Sequence, residues 1–389
     1  MLLLIIIYIA FISLGLPDAL LGVTWPIIHI EMSLDEGLVG VIAMIISMGT
    51  IVSSLISSKL TRNFGTGKVT MISVLMTAIA ILGMSFSKSF IWFVILAIPY
   101  GLGAGAVDAS LNDYVSKHYK SRHMSWLHSF WGVGAMIGPI IMSYFISWNA
   151  EWRSGYVTVS ILQFGLFLLL LISLPLWNKL KNRDNLINFS FENKIENKPK
   201  VKPLKIKGVK IALMSFLFYC SIEYTMGLWG SSYLINVKGV NIATAALWVS
   251  LYYGGITGGR FLSGFLSMRI KNKLLIRGGE ILVLSGVILL LLPLPVNFSL
   301  IGFIVVGLGC APIYPSMLHS TPERFGRENS SDIMGIQMAV AYFGGAFMPP
   351  LIGFVATRTT FSIITYILLS FILIMLISSE IVNKKIKIT

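Results

Sequence analysis

The sequence predicts an all-α polytopic membrane protein, with twelve transmembrane helices in two pseudo-symmetric six-helix bundles. Three observations predict it. Of the 389 residues, 56% are hydrophobic and only 12% charged, about half the roughly 25% charge a soluble domain carries to keep its surface wet. Mean hydropathy is +0.82. The apolar residues also gather in stretches close to the roughly 20 residues that a helix needs to cross about 30 Å of hydrocarbon. Those stretches lack period-2 alternation and carry Gly and Ser, which selects helices over a β-barrel.

Twelve stretches qualify: 3–30, 37–60, 68–87, 90–117, 123–147, 154–176, 209–236, 243–268, 273–292, 297–322, 330–356 and 361–383. The opening run, Leu2 to Ala10, has the apolarity of a signal peptide but neither a basic leader nor a small-residue cleavage site, so it reads as part of the first span. Pro17 interrupts that span, where a missing N–H and a ring clash predict a local break. Between the sixth and seventh spans, Asn178 to Gly208 is rich in Lys and Asn, holds Pro199 and Pro203, and has no amphipathic period. It is expected to be a flexible or partly helical cytoplasmic linker, 177–208, dividing a half at 1–176 from a half at 209–389.

Basic residues orient the spans. With the N-terminus inside, 25 of the 30 Lys and Arg fall on the inner side and four on the outer, leaving Arg260 within a span. Both termini are therefore expected in the cytoplasm, in a multi-pass protein of the cell membrane. The net charge of +14 and pI near 9.7 read as this insertion bias and not as a nucleic-acid surface, because no basic stripe accompanies a soluble fold. Cys220 and Cys310 lie in apolar runs and read as packing residues.

The halves repeat. Asp18 and Gly22 match Glu223 and Gly227 at an offset of 205; Gly101 and Gly103 match Gly307 and Gly309 at 206; Gly134 and Pro139 match Gly345 and Pro350 at 211. Two halves related by an axis along the membrane normal describe the major facilitator architecture, with substrate near the midplane and rocking halves. Leu16-Pro17-Asp18, the run from Gly101 through Asp108 to Asn112, His128 to Gly134 with Gly138-Pro139, Glu223 with Trp229, Gly259-Arg260 with Gly264, and Tyr314-Pro315 carry a closer likeness. The chain resembles the major facilitator superfamily throughout, and more narrowly its fucose:proton symporter branch. It departs from that branch in Asp108, usually Glu, and Asp113, often Pro. The superfamily motif between spans two and three is degenerate, with Ser58 at its glycine and Arg62 at its acid, as is the stretch from Gly264 to Lys273.

An ionised side chain at a helix centre costs roughly 2.5–3.5 kcal/mol on insertion scales, so it marks a pathway or a pair. Asp18, Asp108, Glu223 and Arg260 lie well inside their spans. Gly101, Gly105, Asp108 and Asn112 share one helix face, which reads either as a small-residue packing seam with a buried neutral acid or as a coupling site. In the resembled branch an acid here couples protons to sugar movement, so Asp108, with Asp18 and Glu223, is expected to carry protons. Asp18, Gly22 and Trp25 form a second face, suited to a hydroxylated ring; the alternative is Asp18 capping amides freed by Pro17. Asn112, Trp25, His128, Trp131, Tyr253, Tyr314 and Gln337 are the candidate solute contacts, with His319 nearby in the second half. Arg260 is expected to form a gate ion pair with Glu280, or to meet Asp332 or Asp113.

No metal-ligand spacing, nucleotide loop or catalytic constellation is present. The sequence therefore points away from an enzyme and calls for no cofactor, metal or nucleic-acid partner. The expected function is secondary transport of a small hydrophilic solute, with the proton as coupling ion, by a monomer in the lipid bilayer. The resemblance makes that solute a sugar moved by symport; the alternative is a proton-coupled exporter of drugs or metabolites.

Overall fold

The structure is a computed structural model that describes residues 2–119, 121–149, 151–188 and 202–385. Among them are fourteen α-helices: α1 (Leu2–Gly15), α2 (Leu20–Glu31), α3 (Leu38–Phe64), α4 (Thr66–Ser85), α5 (Phe90–His118), α6 (Ser121–Asn149), α7 (Trp152–Asn188), α8 (Val209–Lys238), α9 (Ile242–Leu266), α10 (Asn272–Leu291), α11 (Asn297–His319), α12 (Thr321–Phe325), α13 (Arg327–Arg358) and α14 (Ile363–Lys385).

The first expected span is the pair α1 and α2, parted at Leu16–Ala19 where Pro17 removes a helical donor. The break closes locally: Asp18 N donates to Gly15 O at 3.1 Å and Leu20 N to Pro17 O at 3.2 Å. By length and hydropathy, eleven spans qualify among the described residues. The twelfth long helix is α9, whose 25 residues are too rich in Gly, Ser, Thr and Tyr to score as oil-soluble. That composition suits a helix facing protein and a polar cavity on most of its circumference.

Two details differ from the expected elements. The sixth span does not stop near 176: α7 continues to Asn188, so the first third of the expected linker is helical, while 189–201 lie outside the described residues. Past α11 the chain turns through the five-residue α12, which an apolar window running to 322 hides.

Glycines set the helix spacing within each half. In a membrane no hydrophobic force joins helices, so close backbone approach must supply the contact. A Cβ on Gly101 or Gly105 would strike the Ile46 or Thr50 carbonyl of α3, and one on Gly103 would lie 2.6 Å from Ser73 O of α4. In the second half, Gly307 abuts Tyr252 O of α9, and Gly309 abuts Val283 N and Gly279 O of α10. Gly134 rests on α1 at Ile12 O, and Gly345 on α8 at the Tyr224 ring.

The halves touch most tightly at the end away from the linker. Asn236 Nδ2 donates to Glu36 Oε1 at 3.3 Å, and Ser143 Oγ to Ala243 O at 2.8 Å. Gly40 packs on Pro350, and Gly22 meets the backbone of Gly227 and Leu228. Arg153 braces the same end of the first half, pairing with Glu31 at 2.7 Å and donating to Ser87 O at 3.2 Å. Towards the linker end a cavity opens between the halves, while α6 and α9 stay in contact through Phe130 and Phe261, whose ring centroids are 6.5 Å apart.

Candidate functional site

A cavity of about 2050 Å³ lies between the halves. Its mouth, on the linker side, is edged by Ser267, Lys271, Asn272, His319, Glu323 and Arg324, and its deep wall by Asp18, Asp108, His128, Trp131, Glu223 and Arg260. This exceeds the roughly 300–1,000 Å³ that encloses a drug-sized ligand, so it is a binding region continuous with a vestibule.

Two polar clusters form the deep wall. In the first, the α1–α2 break presents Asp18 to the cavity, and Asp18 Oδ2 accepts the Trp131 indole N–H from α6 at 2.7 Å. The Arg260 guanidinium of α9 lies over the Trp131 ring, 5.1 Å from its centroid, in cation–π contact. Arg260 also pairs with Glu223 of α8 at 3.2 Å, both side chains 11% exposed, and reaches His128 O at 3.5 Å. An acid, an indole, a guanidinium and a second acid thus run in series across the two halves. Tyr253 meets Trp131 edge to face, with centroids 6.2 Å apart.

In the second cluster, Asp108 Oδ1 accepts Asn112 Nδ2 at 2.8 Å, one turn along α5, and Asp108 Oδ2 accepts the Tyr342 hydroxyl of α13 at 3.2 Å. Tyrosines complete the wall: Tyr100, Tyr156, Tyr224, Tyr253 and Tyr314 all line the cavity. Phenols offer donors and acceptors on a rigid apolar body, so the lining suits a solute that is both hydroxylated and ring-shaped.

Most expected site residues converge here; Glu280, Trp25, Gln337 and Asn112 do not line the cavity. Arg260 pairs with Glu223 and not with Glu280, which is fully buried and accepts from Ser379 Oγ at 2.8 Å. Nearness in sequence misleads because the Glu280 face of α10 packs towards α14. The Asp332 side chain lies outside the described residues. Trp25, 1% exposed, donates to Glu36 O at 2.7 Å and is absent from the cavity wall; the indole beside Asp18 is Trp131, from another helix. Gln337 is buried and accepts from Thr321 Oγ1 at 3.0 Å. Asn112 holds Asp108 and does not line the cavity. Asp18 takes an indole N–H in place of the amides freed by Pro17.

Sequence reading missed Tyr342, Tyr100 and Tyr156. For Tyr342 a signal existed, since Met338, Tyr342 and Gly345 share one face of α13 at i, i+4 and i+7. Among the described residues no three His, Cys, Asp or Glu side chains gather to hold a metal.

Comparison with known proteins agrees with this geometry. The sequence model of the Major Facilitator Superfamily matches residues 7–296 and 211–385, nearly the whole chain. Bypass of stop codon protein 6 of Saccharomyces cerevisiae is 24% identical over 385 residues, 90% of this chain and 76% of its own length. The glucose/mannose transporter GlcP of Bacillus subtilis is 26% identical over 297 residues, 74% of this chain and 71% of its own. Among solved structures, a bacterial homolog of the human lysosomal transporter Spinster, inward-facing and unoccupied, superposes with a TM-score of 0.72 at 12% identity, over 98% of this chain and 97% of that one. With its helical bundle, its cavity between two halves and this match, the chain belongs to the major facilitator superfamily, a family of multi-pass membrane transporters of small molecules.

Proposed function

We propose that the protein is a proton-coupled symporter for a small hydrophilic solute, a sugar, working by alternating access between its halves at 1–176 and 209–389. The observation that carries this reading is the composition of the deep wall: three carboxylates, one guanidinium and a set of tyrosines around the cavity. Such a wall hydrogen-bonds hydroxyls at many angles. Glu223 has Arg260 as counterion, which leaves Asp18 and Asp108 as the acids free to carry protons, with Asp108 the principal one. The likeness to a glucose/mannose transporter supports a sugar, and the likeness of Asp18 and Asp108 to the acids of the fucose:proton branch supports symport.

On the expected topology, with the termini and linker cytoplasmic, the cavity opens inward and the contacts among Glu36, Asn236, Ser143 and Ala243 close the outer side. Solute and proton would leave through the mouth edged by Lys271 and Arg324. Linkage then makes each affinity depend on the other's occupancy.

The test is uptake of labelled monosaccharides, glucose and mannose first, into proteoliposomes under an imposed proton gradient. Accumulation abolished by a protonophore, with counterflow left intact, is the expected result. Uptake indifferent to the gradient across a full sugar panel would refute symport; efflux of amphiphiles against that gradient would establish the exporter instead.

A further inference from the structure

One hydrogen bond of Asp108 crosses between the halves. Its Oδ1 is held by Asn112 on its own helix at 2.8 Å, while its Oδ2 receives the Tyr342 hydroxyl from α13 at 3.2 Å. The other groups that face it are Asp18 at the α1–α2 break, which it repels, and Tyr314 of α11. From α3, Ser54 also meets the Tyr342 hydroxyl, while the Thr50 and Ser54 hydroxyls donate to the Gly101 and Gly105 carbonyls at 3.3 and 3.2 Å. No ion pair forms on Asp108 among the described residues. Two neutral donors therefore meet its charge, and one of them belongs to the opposite half.

The helix that carries Tyr342 has a built weakness. Seven and eight residues on stand Pro349 and Pro350, which lack the N–H groups that Gly345 O and Ala346 O would accept. Beyond that point α13 is anchored: Pro349 O accepts the Trp229 indole N–H at 2.8 Å, and Pro350 packs on Gly40 of α3. Before it, Met334, Met338 and Tyr342 line the cavity. The linker-side arm of α13 thus has a pivot at one end and a bond to Asp108 partway along.

We propose that Tyr342 is a positioning residue that ties the ionisation of Asp108 to the placement of this arm. The ionised carboxylate holds the arm through the Tyr342 hydroxyl. A hydrogen bond to a charged acceptor is about twice as strong as a neutral one, so protonation of Asp108 loosens the arm. The use of this device in transport rests on the proton-coupled reading above; the bond and its response to pH do not.

Infrared difference spectroscopy of the whole protein in proteoliposomes tests it without any solute. A pH step should produce a carboxyl band that disappears in Asp108→Asn. Tyr342→Phe, which keeps the ring, should move the midpoint of that band about one to two pH units alkaline, the equivalent of one lost charge-assisted hydrogen bond. Tyr342→His, which retains a donor, should return the midpoint most of the way to the wild-type value. Should Tyr342→Phe fail to fold, ring-deuterated tyrosine in the wild type serves: a tyrosine band should change with the Asp108 midpoint and be lost in Asp108→Asn. An unshifted midpoint in Tyr342→Phe, no band assignable to Asp108, or a tyrosine signal indifferent to Asp108→Asn overturns the proposal. Sugar uptake indifferent to the proton gradient, beside a shifted infrared midpoint, would sink the symport reading alone.

Discussion

Replacing Glu223 by Met, close in length and apolar, leaves Arg260 without its counterion in a wall where both side chains are 11% exposed. Breaking a buried pair costs about 3–5 kcal/mol, because the surviving charge stays desolvated. Cavity water and the Trp131 face, 5.1 Å from the guanidinium, soften this, so a loss of about 2–3 kcal/mol is expected. That is a roughly 30- to 150-fold fall in the folded-to-unfolded ratio. Arg260→Met should cost a similar amount, yet the double variant should return to within about 1 kcal/mol of wild type, since two apolar side chains replace a pair that had to be desolvated. A double-mutant cycle by denaturant unfolding in detergent therefore yields a coupling of at least about 3 kcal/mol, the two single losses less what remains in the double variant. The same cycle between Arg260→Met and Glu280→Met serves as the control. Glu280 is bonded to Ser379, so those two changes should add. Coupling below about 0.5 kcal/mol for Arg260 with Glu223, or equal coupling with Glu280, would refute the assignment.

Asp108→Asn should abolish gradient-driven uptake while counterflow persists, whereas Glu223→Gln should weaken solute binding without uncoupling; transport assays at matched pH separate the two. Trp25→Phe should leave solute affinity within about twofold, and Trp131→Phe should lower it by roughly tenfold, because only Trp131 both lines the cavity and supports Asp18 and Arg260. Joining Glu36→Cys to Asn236→Cys with a short thiol cross-linker should stop turnover and keep the linker-side mouth accessible to cavity labelling; undiminished turnover would contradict the placement of the closed end. Gly134→Ala drives a methyl into Ile12 O and should destabilise by about 1–3 kcal/mol. Gly258→Ala, with nothing within 4 Å, should be neutral or stabilising by up to about 1 kcal/mol, as thermal unfolding would report.

What the sequence discloses and what it hides divide along one physical line. Hydrocarbon thickness acts on every span separately, so the helices, the break at Pro17 and the polar residues within spans are legible one segment at a time. The likeness of α9 to a span survives its low hydropathy because its length and its neighbours demand a crossing. Partner choice is another matter. Helical periodicity puts Arg260 on a face with Tyr253 and Thr257, but which helix that face meets depends on packing among segments far apart in the chain. Nearness in sequence points Arg260 to Glu280, and only the seating of α9 against α6 and α8 brings it to Glu223, which periodicity does not single out. The same blindness exchanged Trp25 for Trp131: an indole three residues past Gly22 looked aligned with Asp18, while the one that reaches it comes 113 positions later.

The meeting of Gly22 with Gly227 has a mechanical consequence. Where packed helices must slide, interlocked side chains resist, and each step demands rotamer changes in a close-packed interior. Here two backbones touch with no side chain between them; a Cβ on Gly22 would lie 2.5 Å from Gly227 O. Bare contact of this kind behaves as a rolling bearing, across which one body can tilt on the other without unlocking anything. On the proposed alternating-access reading, resistance to that tilt lies in the polar wall farther in, along the series Asp18, Trp131, Arg260 and Glu223, and hardly at all in the joint.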